Sequence, residues 1–579
     1  MQSLPKPIKS VFGTFDPDQT PLASSPSSEA AFDGTRRDSS VSAGDGPGHR
    51  LARRMSTMLG EVEKPSKQRK GSIAHEIDSE SHQLFRRHVA GNMPRHGFGA
   101  VIEECEEDKK RKAHEQERKE SAMPPGMQAP GSTGVIYVVD RAVSNGFSYE
   151  NPEWANFGQG APEVGPIPGA SGHPMTIEIE RFGEAVNEYA PTTGVKELRQ
   201  AVADLYNKSY REGKASQYTY ENVCIVPGGR AGLSRIAAVI GDVYCAYQVP
   251  EYTAYSQMLE VFRRLVPIPT VLRAEDGYKM NLTTLKREIE DMGISVVVAS
   301  NPRNPTGQVI MGEELKDLVA LSREGTTLVL DEFYSWYQYE LEPGATVSAA
   351  EYIEDVNSDP VILVDGLTKN WRLPGWRCCW VIGPKPFINA LGQSGSFLDG
   401  GASHVLQMAA LPLLDYERVK QDRIALQAHF KKKRDYVLER LDRMGLKVNN
   451  YPRATFYIWL DLSGLPEPLN SGLTFFEECL KEKVIVVPGI FFDISPSHRR
   501  NLFNSPAHHF VRLSFGPPLE QLAKGLDGIE RILEKASDHF ERHNTLNNST
   551  FGTDLVGSLG DVEKTLESNA AKLANLVTK

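Results

Sequence analysis

Apolar and polar positions change rhythm along this chain. Between about residues 131 and 537, short apolar, β-rich runs recur at 222–226, 294–299, 326–330, 361–364 and 378–382. Stretches with helical spacing separate several of them, at 230–240, 313–323 and 425–444. Short continuous apolar runs predict strands buried on both faces, and their alternation with helices predicts an α/β fold with a mainly parallel sheet. In such sheets ligands sit beyond the carboxyl ends of the strands. The residues that follow each run are therefore the candidates for chemistry.

Outside this region the pattern fades. Residues 1–130 contain aromatic side chains only as Phe; the first Tyr is Tyr137 and the first Trp is Trp154. Ser, Pro, Gly and Asp dominate the first 50 positions. Such a segment cannot bury enough apolar area to offset its ordering entropy, so 1–130 is predicted to be a disordered polar tail. Within it, 102–122 (IEECEEDKKRKAHEQERKESA) predicts a solvated helix with no core face. Past about Asp538 an Asn/Ser/Thr-rich spacer leads to a predicted short amphipathic helix over 562–577. Ser39, Ser56 and Ser72 each follow a basic pair, Arg36-Arg37, Arg53-Arg54 and Arg69-Lys70. A phosphate at any of them would add about −1.5 to −2 charge.

Charge and cysteine usage narrow the function. The chain of 579 residues has 65 Lys and Arg against 75 Asp and Glu, a net charge of −10. That balance argues against a nucleic-acid partner. No apolar run approaches the roughly 20 residues that span a bilayer, so no membrane partner is expected. Cys105, Cys224, Cys245, Cys378, Cys379 and Cys479 show neither CxxC nor Cys/His ligand spacing. Neither a disulfide framework nor a metal site is expected. The start, MQSLPKPIKSVFGTFDPD, reads as neither a secretory nor a mitochondrial signal, so the expected location is cytoplasmic.

The strand ends carry the chemistry. After 226 comes Pro227-Gly228-Gly229-Arg230-Ala231-Gly232, opening a helix. Glycines there let backbone N–H groups approach an anion, where the helix N-terminus supplies about +0.5 charge. After 299 comes Ser300-Asn301-Pro302-Arg303-Asn304-Pro305-Thr306-Gly307; after 330, Asp331-Glu332-Phe333-Tyr334. After 364 comes Asp365-Gly366-Leu367-Thr368-Lys369, followed by Pro374-Gly375-Trp376-Arg377.

Together, the NPTG at 304–307, the DxxY at 331–334 and the Lys369–Arg377 spacing resemble the aspartate-aminotransferase-like enzymes of class I/II. These are fold type I enzymes that use pyridoxal 5'-phosphate, and the resemblance covers about 134–537. It implies a large cofactor-binding domain at 190–425. A smaller α+β domain would be formed by an N-terminal arm at 131–189 and by 426–537, with 538–579 as a tail. It implies that Lys369 forms the internal aldimine and moves the proton, a role suited to a desolvated lysine. Asp331 would face the pyridine nitrogen, and Asn304 and Tyr334 would hydrogen-bond the phenolic oxygen. Tyr252 would stack on the ring, and Arg377, Gly228 and Gly229 would bind the phosphate. Arg512, in His509-Phe510-Val511-Arg512-Leu513-Ser514-Phe515, resembles the arginine that grips the substrate α-carboxylate, with Gly160 and Asn304 beside it. Tyr189 begins a YxxxxGxxxLR segment whose tyrosine reaches the phosphate of the neighbouring subunit's cofactor. A homodimer with shared active sites is thereby implied.

Two positions depart from the family. Gly366 stands where a serine is common three residues before the lysine, and Arg230 stands where a small or polar residue is common. The expectation is that the Arg230 side chain supplies the charge that replaces the missing hydroxyl at the phosphate. Dicarboxylate-specific relatives use a second arginine, from the partner subunit, but 398–414 contains no Arg or Lys. A neutral or aromatic donor is therefore expected. His404, the one titratable base in that stretch, reads as a substrate contact or as a buried structural side chain. The reaction implied is transamination between an L-amino acid and a 2-oxo acid by a ping-pong route. A lyase on the same fold, by β-elimination or cyclopropane-forming chemistry, is one alternative. A regulatory or scaffolding protein that retains the cofactor is the other.

Overall fold

The computed structural model describes residues 134–262, 264–495 and 505–537. The expectations for the N-terminal tail at 1–130, its helix, its serines and Cys105, and for the helix at 562–577, lie outside these residues.

The strands in chain order begin with β1 (Ala155–Asn156), β2 (Val223–Val226), β3 (Tyr244–Val249) and β4 (Val266–Val271). β5 (Ile294–Ser300), β6 (Thr327–Asp331), β7 (Val361–Gly366) and β8 (Cys379–Ile382) follow. The last are β9 (Tyr457–Asp461), β10 (Val484–Ile485), β11 (Val487–Pro488) and β12 (Phe510–Ser514). β2 to β8 form one seven-stranded sheet in the order β2-β8-β7-β6-β5-β3-β4. Neighbours from β7 through β4 run parallel, whereas β8 is antiparallel to both β7 and β2. The mainly parallel α/β expectation holds. β5, β6 and β7 are buried almost throughout, as the continuous apolar runs require.

The apolar pattern missed β3 and β4. β3 mixes Tyr, Cys, Ala and Gln, and β4 is interrupted by Pro267 and Pro269. Those prolines remove two N–H donors, which suits the edge position of β4 and blunts further pairing.

Helices that bear on the site are α1 (Gly134–Ser144), α2 (Gly229–Val239) and α3 (Tyr416–Arg443). The stretch expected at 425–444 begins nine residues earlier than expected, at Tyr416. Its first turns, Tyr-Glu-Arg-Val-Lys-Gln-Asp-Arg, are too polar to show in hydropathy. The start comes instead from Asp415, whose carboxylate accepts the Arg418 N–H at 2.9 Å. The expected boundary at 425/426 therefore falls inside one continuous helix.

A second sheet of β11-β12-β9, fully antiparallel, holds Arg512 opposite Trp459 and Val487. β1 pairs parallel with β10, so the segment after α1 joins the C-terminal part of the chain. Trp380 and Trp459 are the largest fully buried side chains, one in each sheet; truncation of either to alanine is worth about 3–5 kcal/mol. Among the described residues no helix is long and apolar enough to cross a membrane.

Candidate active site

The parallel strands end at one edge of the main sheet, and β3, β5, β6 and β7 contribute their following loops. Together with β12 and the segment after β1 they enclose a cleft of about 520 Å³. Gly160, Gly229, Arg230, Tyr252, Asn304, Asp331, Tyr334, Lys369, Arg377 and Arg512 all line it. Gly228 lies directly beneath Arg377. Tyr189 is 95 % exposed and does not line the cleft of its own chain.

The Gly228-Gly229 turn is dictated by close approach. Gly228 has φ +101°, and a Cβ there would sit 1.8 Å from Arg377 Nη2. A Cβ at Gly229 would sit 2.5 Å from the Phe333 ring. Glycine at 228 lets the N-terminus of α2 come this close to the Arg377 guanidinium, and glycine at 229 lets it lie against the Phe333 ring. Backbone donors and a guanidinium side by side make an anion site.

Lys369 extends from the loop after β7, and its Nζ donates to the Gly160 carbonyl. Burial, reinforced by the Arg512 charge, pushes its ammonium down to about 8, with Asp331 opposing the shift. Asp331 closes β6. Its Oδ1 accepts the Phe333 N–H at 3.3 Å and its Oδ2 accepts the Tyr255 hydroxyl at 3.2 Å. Burial pushes this carboxyl up to about 7. Such an acid gains from a cationic partner in the cleft, and a protonated ring nitrogen would serve.

Arg512 is 2 % exposed. Its Nη1 donates to Asn304 Oδ1 and its Nη2 to the Gly158 carbonyl, both at 3.0 Å. The guanidinium carbon lies 4.1 Å from the Tyr457 ring centroid and 4.9 Å from that of Phe492. Its Nε is buried without a hydrogen-bond partner, and its two bonded partners among the described residues are an amide oxygen and a backbone carbonyl rather than a carboxylate. A buried guanidinium without a counter-ion at the wall of a cleft fits a ligand carboxylate.

Other predicted residues make contacts of their own within the protein. Tyr334 shares a 2.9 Å hydrogen bond with Tyr457, hydroxyl to hydroxyl. Arg230 is exposed along the cleft and its Nε donates to the Tyr252 hydroxyl at 3.3 Å. His404 is neither buried nor on the cleft; its Nδ1 contacts the Glu188 carbonyl at 3.1 Å. Cys378 and Cys379 are buried small residues, as expected.

Gly366 has a physical reason. A Cβ on it would lie 2.4 Å from the Cys379 Cα on the paired strand. Gly366→Ser is therefore expected to destabilise the protein, by about 1–3 kcal/mol, rather than add a phosphate ligand. Thermal unfolding checks this; an unchanged melting temperature with tighter cofactor binding would refute it.

The sequence did not reveal Tyr457 or Tyr255. The one-turn spacing from Tyr252 to Tyr255 carries a signal, since it places both rings on one face. Nothing local marks Tyr457, whose role depends on β9 lying beside β12. The apolar wall of Val135, Val138, Val139 and Ile485 was also missed. Among the described residues no group of three or more His, Cys, Asp or Glu side chains could hold a metal ion.

Comparison with known proteins agrees with this geometry. The profile of the family described as Aminotransferase class I and II matches residues 152–529. A probable aspartate/prephenate aminotransferase of Aquifex aeolicus is 28 % identical over 362 residues, covering 62 % of this chain and 86 % of the relative. A probable N-acetyl-LL-diaminopimelate aminotransferase of Bacillus subtilis is 29 % identical over 390 residues, covering 65 % and 88 %. The solved aspartate aminotransferase of Thermus thermophilus with maleate superposes with a TM-score of 0.56 at 24 % identity, covering 72 % of this chain and 98 % of that one. The chain belongs to the class I and II aminotransferases and has the type I fold of the pyridoxal-phosphate-dependent transaminases.

Proposed function

We propose that this aminotransferase works by a ping-pong route between an L-amino acid and a 2-oxo acid, with pyridoxal 5'-phosphate held on Lys369. The observation that carries the reading is the convergence on one cleft of a depressed lysine, a buried aspartate and a buried arginine that has no counter-ion among the described residues. When bound, the cofactor supplies the electron sink for a carbanion at the substrate Cα. Lys369 Nζ would hold the cofactor and, once freed by a substrate amine, would move the proton at the substrate Cα. Asp331 keeps the ring nitrogen protonated. Tyr252 would cover the ring, and Asn304 and Tyr334 would donate to its phenolic oxygen. Arg377 and the backbone N–H groups at Gly228 and Gly229 hold the phosphate, and Arg512 orients the α-carboxylate beside Gly160 and Asn304.

The same reading divides the chain at 190–425 into a large domain, with 131–189 and 426–537 as the smaller one. It makes the protein a cytoplasmic homodimer. Tyr189, with its ring almost wholly exposed beside the 399–404 loop, is available to reach the neighbouring subunit's phosphate. The donor is neutral or aromatic: 398–414 offers no cation, and Val135, Val138, Val139 and Ile485 give the cleft an apolar wall.

The test is to add single amino acids to the purified holoenzyme without any oxo acid and follow its visible absorbance. Conversion of the cofactor to its amine form, with one oxo acid released per site, is the expected result. Ammonia released from a β-substituted amino acid would instead make the protein a lyase. A bound cofactor that reacts with no amino acid would make it a regulatory or scaffolding protein. Arg230 is assigned a share of the phosphate charge in this reading. Arg230→Ala is expected to weaken cofactor retention about tenfold, and an unchanged dissociation constant would remove that assignment.

A further inference from the structure

Glu251 and Arg303 form an ion pair beneath the cleft that the reaction scheme leaves unused. Glu251 is 0 % exposed and Arg303 is 2 % exposed, with Nε 3.5 Å from Glu251 Oε2. The Glu251 carboxylate accepts the Tyr252 N–H at 3.0 Å, the Ser300 N–H at 3.1 Å and the Ser300 hydroxyl. Ser300 Oγ in turn accepts the Asn304 N–H at 3.4 Å, and Ser300 sits opposite Asp331 in the sheet register. Arg303 Nη1 donates to the Tyr278 carbonyl at 3.1 Å. One carboxylate thus ties together the loops after β3 and β5, which carry Tyr252 and Asn304.

Removing two charges from water costs several kcal/mol per ion, and an apolar pair of similar volume often serves stability as well. Burial disfavours both charges here, raising the Glu251 carboxyl and lowering the Arg303 guanidinium. What an apolar pair cannot provide is a set of directed hydrogen bonds to the backbone on two sides of the ring pocket. We propose that the Glu251–Arg303 pair, acting through Ser300, is a positioning device that sets Tyr252 and Asn304 around the cofactor ring. It controls the ring's orientation toward Lys369 rather than substrate affinity. The proposal rests on the pyridoxal-phosphate reading above.

The experiment uses the full-length holoenzyme and four variants: Glu251→Gln, Arg303→Met, the two combined, and Ser300→Ala. Visible circular dichroism of the bound cofactor reports ring orientation, and kcat and KM are measured with the best donor. Glu251→Gln and Ser300→Ala are expected to change the dichroism and lower kcat about ten- to hundredfold, since small misplacements are this costly. KM is expected to stay within about twofold. The combined variant restores charge balance, so its melting temperature recovers relative to Arg303→Met while its dichroism and kcat do not. Ser300→Ala removes only a hydroxyl and carries the test should Glu251→Gln fail to fold. Wild-type dichroism and kcat in Ser300→Ala and Glu251→Gln, with only a lowered melting temperature, would reduce the pair to a structural feature and overturn the proposal. A wild-type protein that takes up no cofactor defeats the underlying reading and the proposal with it, and that outcome is seen before any substitution is made.

Discussion

Lys369→Arg is expected to abolish amino transfer, by roughly 10⁴-fold or more, while the fold and non-covalent cofactor binding persist. Arginine keeps the positive charge but cannot be deprotonated in a protein, so it can neither hold the aldehyde carbon nor accept a proton. Lys369 can do both because burial and Arg512 bring its ammonium down to about 8. At pH 7 roughly one amine in ten is then neutral, against a few in ten thousand for an unshifted lysine. The sign of the pH effect follows. Uptake of pyridoxal phosphate by the cofactor-free protein should speed up as pH rises toward about 8 and level off above it. Measured turnover of the variant within tenfold of the wild type would refute the assignment of Lys369.

Arg512→Leu is expected to lower kcat/KM for every α-amino acid by about 10²–10³-fold, the worth of two charge-assisted hydrogen bonds to a carboxylate. The loss should vanish for an amine substrate without the carboxylate, because Arg512 then has nothing to grip. A second consequence is independent of substrate. The Arg512 charge helps depress Lys369, so its removal should move the pH profile of cofactor uptake toward higher pH. A profile that stays in place together with equal losses for both substrate types would mean the variant has merely disturbed the cleft, which Arg512 also braces through Asn304 and the Gly158 carbonyl.

Much of the site was legible because its residues sit immediately after strands, in runs of consecutive positions. Gly228-Gly229, Asn304, Asp331-Tyr334 and Lys369 are each within a few residues of a β-strand end. A parallel sheet brings all such ends to one edge regardless of the distance between them in sequence. Legibility failed where a residue's role depends on an unrelated neighbour. Tyr457 and Tyr334 are 123 positions apart in the chain, and only the packing of β9 against the loop after β6 joins their hydroxyls. The contact of Arg230 with the Tyr252 hydroxyl likewise depends on how two loops lie side by side. His404 read as a substrate contact or a buried structural side chain, yet it opens a short helix away from the cleft and its Nδ1 reaches the Glu188 carbonyl.

The same division holds for the fold. Local pattern sufficed for β5, β6 and β7, where burial on both faces leaves a continuous apolar run. It did not suffice for β4, whose prolines are tolerable only at a sheet edge, nor for the start of α3, which depends on a single capping aspartate. Linear sequence carries the chemistry of each strand end, because that is a matter of adjacent residues. The shielding that depresses Lys369 and the burial of Arg512 and of Glu251 with Arg303 arise only when distant segments exclude water from them. Desolvation is a property of the folded surroundings, and no stretch of the chain holds it alone.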